Sequence, residues 1–345
     1  MIKRLARCVR EYKWAAFLSP LCMIGEVAME VTIPLVMADL YDYGIAASNM
    51  TVVWQKALQL LICAIVSLIF GVLSANYASK AATGFARNLR HDMYYRVQDF
   101  SFSNIDKFSS ASIVTRLTSD VANLQMAFQM MIRMAIRCPM MLILAMSSSL
   151  RISPKLSTVY FIAIPILGAV LLGIVPLVFK IFDRVFKTYD KLNTVVQENV
   201  HGIRVVKSFV REDKEVSKFK SVSDSIYKDF CKAEHILAVN APAMQICVYS
   251  CILVISWVGA KMVVASGNNA AFGLTTGELS SMFTYTTQIL TSLMMLSMVF
   301  VMMIMAQAPM HRCYEVLEEE PSLTSPEGAV KTVPDGSIDF ENVSF

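Results

Sequence analysis

Charge is scarce in this sequence. Lysine, arginine, aspartate and glutamate make up 17% of the 345 residues and hydrophobic residues 55%, where a soluble domain carries roughly a quarter charged. With a mean hydropathy of +0.52, that shortage excludes a soluble globular chain and leaves a membrane protein. The net charge is only +4, and the basic residues flank apolar runs instead of forming one patch with interleaved aromatics. A nucleic-acid partner is therefore not indicated. Histidine occurs four times, and the eight cysteines, most of them inside apolar runs, lack the CxxC or Cys/His spacing of a zinc site. They read as reduced, buried small hydrophobes, and no metal site is expected. No cleavable leader is expected either: the first apolar run is too long, holds Glu26 and Glu30, and has no small-x-small cleavage site.

What is present is a series of six apolar runs. Residues 1–14 carry Lys3, Arg4, Arg7, Arg10 and Lys13 with Tyr12 and Trp14 at the edge, which predicts a cytoplasmic elbow lying at the headgroups. Spans follow over about Ala15 to Ala38, Val52 to Tyr77, Ala127 to Leu150, Leu156 to Phe179, Ala241 to Ala265 and Leu279 to Ala306, each long enough to cross a bilayer at ~1.5 Å per residue. The short connections, 39–51, 151–155 and 266–278, are expected outside. The long polar stretches 78–126 and 180–240 are expected inside; the second alone has twelve Lys and Arg. Both termini are then cytoplasmic. Trp14, Trp54 and Trp257 suit interface anchors.

The two inner stretches are too long for plain connectors and remain helical in pattern, so each is predicted to be a hairpin whose arms prolong the membrane helices about 30 Å beyond the bilayer. The second contains Val196 to Phe219, VQENVHGIRVVKSFVREDKEVSKF. Gly202, a backbone-permissive residue, opens a short amphipathic piece with Ile203, Val205, Val206 and Phe209 on one side and Arg204 and Lys207 between them. Past His311 the chain turns acidic and then rich in proline and glycine, a linker composition over 311–336. Residues 337–345 alternate as a first strand of a further domain would.

Four blocks carry a family resemblance. LRHDMYYRVQDFSFSNIDKFSSASIVTRLTSDV, Leu89 to Val121, is similar to the first intracellular loop of ATP-binding-cassette exporters, with Ala111 where many members have glycine. That variant resembles bacterial multidrug-type half-transporters. The stretch with Gln197, Glu198, Gly202, Arg204, Lys207, Phe209, Glu212 and Phe219 resembles the second loop, EVLEEEP (Glu315 to Pro321) the end of the sixth helix, and GSIDFENVSF (Gly336 to Phe345) the first strand of the nucleotide-binding domain.

The resemblance implies an all-α membrane domain over 15–310, six transmembrane helices with long cytoplasmic extensions and coupling helices, the type-1 or type IV exporter fold. It implies a second exporter half, identical or not, nucleotide-binding domains, ATP and Mg2+ in the intact transporter, a small amphipathic substrate, and a bacterial cell membrane. Asp99, Phe102, Asp106 and Lys107 in the first loop, and Gly202, Ile203, Arg204, Val206, Lys207 and Phe209 in the second, would couple to the ATPase domain. This sequence has no G-x-x-x-x-G-K-[ST] loop, no LSGGQ-like signature and no acidic strand end for magnesium, so no catalytic residue is assigned.

Two groups are candidates for the substrate cavity. Glu26 and Glu30 share one face of the first span, and Arg133 and Arg137 one face of the third. Intramembrane charges either pair to fix packing or line a water-filled cavity, here one favouring cations. Met295, Met298 and Met302 repeat at helical spacing in the sixth span; such a stripe is ordinary packing or an adaptable pocket wall. The expected function is export of amphipathic or drug-like substrates by alternating access in a dimer. A lipid or peptide exporter of the same fold, or a non-pumping sensor subunit, are the other readings; a cation channel is disfavoured, because the fourth span has no arginine and 266–278 no filter-like run.

Overall fold

Every backbone amide inside a bilayer must be paired within its own segment or a closed barrel, and apolar runs of this length satisfy that demand as helices. In the computed structural model, which describes residues 1–269, 272–323, 328 and 335–343, the chain forms twelve α-helices and, among the described residues, no strand. They are α1 (Ile2–Arg7), α2 (Lys13–Asp39), α3 (Met50–Gln98), α4 (Phe102–Phe108), α5 (Ser110–Thr115), α6 (Val121–Ile152), α7 (Pro154–His201), α8 (Ile203–Ser208), α9 (Glu212–Ala238), α10 (Asn240–Ser266), α11 (Thr276–Met305) and α12 (Gln307–Glu318). Six runs are long and apolar enough to cross a membrane, and each contains one of the six predicted spans. The chain is a multi-pass membrane protein of all-α class.

α3 has 49 residues and α7 has 48, so each extends about 70 Å, roughly 40 Å more than a hydrocarbon core. The surplus forms the arms of the two predicted hairpins, with α4 and α8 at their tips. We call this the hairpin end and the opposite one, with short turns, the loop end. At the loop end side chains start the helices: Asn49 Oδ1 accepts from Thr51 and Val52 N–H at 3.2 and 3.4 Å, and Thr275 and Glu278 form a reciprocal capping box. The turn predicted over 151–155 shrinks to one extended residue, Ser153, because Pro154 is tolerated as the first residue of α7, where no N–H is needed.

Two large hydrophobic clusters hold the bundle, with a smaller third around Leu167, Cys251 and Leu290. Near the loop end Met23, Val27 and Val31 of α2 meet Met141 and Ala145 of α6, Leu156 and Tyr160 of α7, and Met282, Tyr285 and Ile289 of α11. The phenols of Tyr160 and Tyr285 are fully buried, and each donates to a backbone carbonyl, Met282 O at 2.9 Å and Val31 O at 2.7 Å, so neither leaves a polar group orphaned. At the hairpin end Leu5, Cys8 and Val9 pack with Phe85, Leu89 and Met93 of α3, Phe108, Val121, and Cys313, Val316 and Leu317 of α12. Gly84 allows α3 to pass directly beneath the Tyr12 ring, where any Cβ would collide. By contrast α3, α7 and α10 turn Leu58, Leu61, Leu68, Phe161, Leu172 and Leu253 outward, the arrangement of helices that face lipid.

Three details differ from expectation. Helix α12 runs to Glu318, so the linker predicted from 311 starts only after 318; Cys313, Val316 and Leu317, spaced as one helix face, are buried and hold that turn in place. Residues 336–343 are irregular and exposed, without ladder partners among the described residues; Ser344 and Phe345, also within the predicted strand, lie outside the described residues. Gly202 has ordinary backbone angles, φ −90° and ψ 7°, so no left-handed turn requires the glycine there, although an added Cβ would lie only 3.1 Å from Glu198 O. At the two tips the positive-φ residues are instead Ser109 and Val210, φ 57° and 48°, each directly after a tip helix or one residue beyond it. A β-branched residue is poorly suited to that region, and Val210→Gly is expected to stabilise the turn by about 1 kcal/mol. Hydrogen exchange at Val205–Arg211 slower than wild type checks this; faster exchange contradicts it.

Candidate functional site

The tip of the first hairpin is built around Asn104. Ser101 caps α4, and Asn104, buried, turns away from the tip to donate to Glu319 Oε1 and Glu320 O, both at 3.1 Å, while its own Oδ1 accepts from Ser322 N–H at 3.1 Å. Lys107 pairs with Glu319 at 2.7 Å, and that hydrogen bond holds the Glu319 carboxyl below its ordinary range. Lys107 is thus committed to its own chain. Asp99 and Asp106 are exposed, and Phe102 is 87% exposed. Phe108 instead points inward, stacked on Phe100 with the Arg116 guanidinium 4.8 Å from its ring.

The second tip has no such cover. Helix α8 buries none of its residues; Ile203, Val205, Phe209 and Val210 are exposed, Phe209 by 74%. Lys207 reaches Glu212 at 2.9 Å, Arg204 points to solvent with no ion pair among the described residues, Val206 is half-buried and Gly202 caps α7. The arms below are fastened by Lys218 to Glu198 at 2.7 Å and Asn199 to Glu215 at 3.2 Å. The result is a braced platform with a bare apolar edge.

Midway along the bundle, Arg137 of α6 forks between two carboxylates of α2. Its Nη1 is 2.8 Å from Glu26 and its Nη2 2.6 Å from Glu30, the planar geometry for which guanidinium is suited. Arg133, one turn away, joins neither; its Nε is buried without a hydrogen-bond partner among the described residues. A cavity of about 190 Å³ opens beside the cluster, reached by Glu30 and Arg137 but not Glu26, and walled on α11 by Thr287, Gln288, Thr291 and Met295. Of the three candidate methionines only Met295 lines it; Met298 is exposed and Met302 half-buried, one and two turns further along α11. The threonines and Gln288 escape a reading for charge. Their spacing, 287, 288 and 291, puts them on one face of a helix whose only charged residue is Glu278, and is the signal that could have found them.

The transmembrane region of ABC transporters, as a family, matches residues 16–293, most of the chain. This chain belongs to that family. Among curated proteins, an uncharacterized ABC transporter ATP-binding protein of Bacillus subtilis, YfiB, is 28% identical over 98% of this chain and 58% of its own length. A second from Bacillus subtilis, YknU, is 28% identical over 74% of this chain and 43% of its own. An ATP-dependent lipid A-core flippase of Desulfotalea psychrophila is 24% identical over 100% of this chain and 59% of its own length. The chain thus spans about half the length of the curated relatives it matches. It is an ABC transporter transmembrane domain.

Proposed function

We propose that this chain is the membrane half of an ATP-driven bacterial exporter, working as a dimer with a second half, identical or not, and moving amphipathic or drug-like substrates by alternating access. The observation that supports it best is the bare apolar edge of α8 at the tip of a stiff arm. A short amphipathic helix held roughly 40 Å from the membrane by two braced helices transmits rigid-body motion into the bundle, and Ile203, Val205, Val206 and Phe209 would fill a groove on an ATPase domain while Arg204, Lys207 and Gly202 set its register. Phe102, with Asp99 and Asp106, would dock the other tip. The family and the relatives' names support nucleotide-binding domains and ATP use in the intact assembly. Mg2+ would accompany ATP there, and 337–345 would begin that domain. Basic residues at the hairpin end support an orientation with both termini in the cytoplasm. A lipid substrate is the second reading, favoured by the name of the flippase relative.

The test is a Val205→Asp, Phe209→Asp double variant of the intact protein. In inverted vesicles it is expected to keep ATP binding and to lose at least about 90% of dye uptake, since two buried charges would oppose docking. Uptake at the wild-type rate would refute the coupling role of α8. ATP turnover unresponsive to any amphipathic compound, with any partner half, would favour a sensor over a pump.

A further inference from the structure

We propose that the cavity beside Arg137 binds the protonated amine of an amphipathic cation, with Glu30 as the residue that contacts it and Glu26 as a positioning residue behind. The inference rests on the exporter reading in that it names the substrate class for the same chain.

The two glutamates, equivalent in the sequence, are unequal in space. Glu26 packs its carboxyl against Gly71 of α3, whose hypothetical Cβ would sit 3.3 Å from it; its side chain is 17% exposed against 33% for Glu30 and does not line the cavity. Glu30 lines the cavity. One of its oxygens takes the 2.6 Å bond from Arg137, and the other has no hydrogen bond among the described residues. Both Arg137 Nη atoms bond carboxylates, so the cluster sets two carboxylates against one guanidinium.

Everything else polar that opens there offers lone pairs. Gln288 Oε1 is buried and has no partner among the described residues, while Gln288 Nε2 is turned to Glu30 O at 3.5 Å, a carbonyl deprived of its helical donor by Pro34. The hydroxyls of Thr287 and Ser292 give their protons to Phe283 O and Ile289 O. A polar face whose buried, unpartnered atom is an amide oxygen and whose charged group is a carboxylate with one free oxygen, in a low-dielectric setting, favours a ligand that brings N–H donors and positive charge. Cys138 and Met141 of α6 and, one turn beyond Thr291 on α11, Met295 supply the softer lining, and the thioethers adapt to an apolar body of variable shape. Anionic substrates meet a carboxylate that repels them.

Binding needs neither ATP nor transport, so it is measured directly on the intact protein in phosphatidylcholine nanodiscs. The probes are dansyl-pentylamine and its neutral N-acetyl twin. The amine is expected to bind at least about tenfold tighter than the twin, the weight of a charged hydrogen bond. Glu30→Gln, which keeps an acceptor for Arg137, should erase that preference and leave the twin's affinity unchanged. Gln288→Leu, which strands no charge, should weaken the amine about threefold and spare the twin. Glu26→Gln should preserve the preference. Equal affinities in the wild type, or a preference that survives both Glu30→Gln and Gln288→Leu, would overturn the site. Amine preference without substrate-stimulated ATP turnover would keep the site and sink the pump; uptake of dye with no amine preference would do the reverse.

Discussion

Arg137→Met is expected to be the most damaging single substitution in the membrane part of the chain, lowering stability by about 3–5 kcal/mol. The guanidinium makes the only ion pairs of Glu26 and Glu30 among the described residues, at 2.8 and 2.6 Å. Removing it leaves two carboxylates one helical turn apart, mostly buried, with nothing to neutralise either. The reverse is not symmetric. Glu26→Gln or Glu30→Gln alone leaves Arg137 a carboxylate and an amide oxygen, so each should cost about 1–2 kcal/mol. Combining Glu26→Gln, Glu30→Gln and Arg137→Met removes all three charges and should recover most of the loss, within about 1–2 kcal/mol of wild type. Thermal unfolding in detergent, followed by tryptophan fluorescence and size exclusion, reads the series. A stable Arg137→Met protein would mean that water already solvates the cluster. A triple variant as unstable as the single would show that shape, not charge, sets the effect.

How much of this was legible in the sequence follows from what each feature depends on. The six spans depend on runs of apolar residues, which composition shows directly, and the hairpins on the length and basic character of 78–126 and 180–240. Helix α8 was readable because an amphipathic piece there interrupts a polar arm, and α4 only through the family resemblance of its block. The choice between Arg133 and Arg137 was not. Both lie on one face of α6, and the relative rotation of α2 and α6 decides which meets the carboxylates. The same rotation divides Glu26 from Glu30, since one points at Gly71 of α3 and the other into the cavity. The polar wall of α11 was hidden because threonine and glutamine among apolar residues barely alter hydropathy. Position 210 gave no warning, since nothing in a valine announces φ of 48°. The helical end of α12 was masked by its glutamates, although Cys313, Val316 and Leu317 follow a helical spacing.

Arg312→Met is expected to carry the second-largest penalty, about 3 kcal/mol, and to act at the hairpin end alone. Asp120, only 2% exposed, accepts from Arg312 Nε at 2.7 Å and Nη2 at 2.6 Å, where α6 begins after a wider-wound turn over Arg116–Asp120. Arg116 completes the joint, donating to Arg312 O at 2.8 Å and pairing with Glu315 at 2.9 Å. The Arg312 side chain is 44% exposed and Asp120 nearly sealed, so the two partners respond differently to loss of the other. Without Arg312 a buried carboxylate is stranded; without Asp120 the guanidinium turns to water, and Asp120→Asn should cost only about 1 kcal/mol. Because α12 leads straight to the Glu319–Ser322 segment held by Asn104 and Lys107, loosening it frees the chain that leaves the sixth span. Hydrogen exchange should therefore quicken in Arg116–Asp120 and Gln307–Glu318 in Arg312→Met and return toward wild type in the Asp120→Asn, Arg312→Met pair, with the α2, α7 and α11 loop-end amides unchanged. Quickening spread evenly over both cores would mean that this joint supports the whole bundle and not the hairpin end alone.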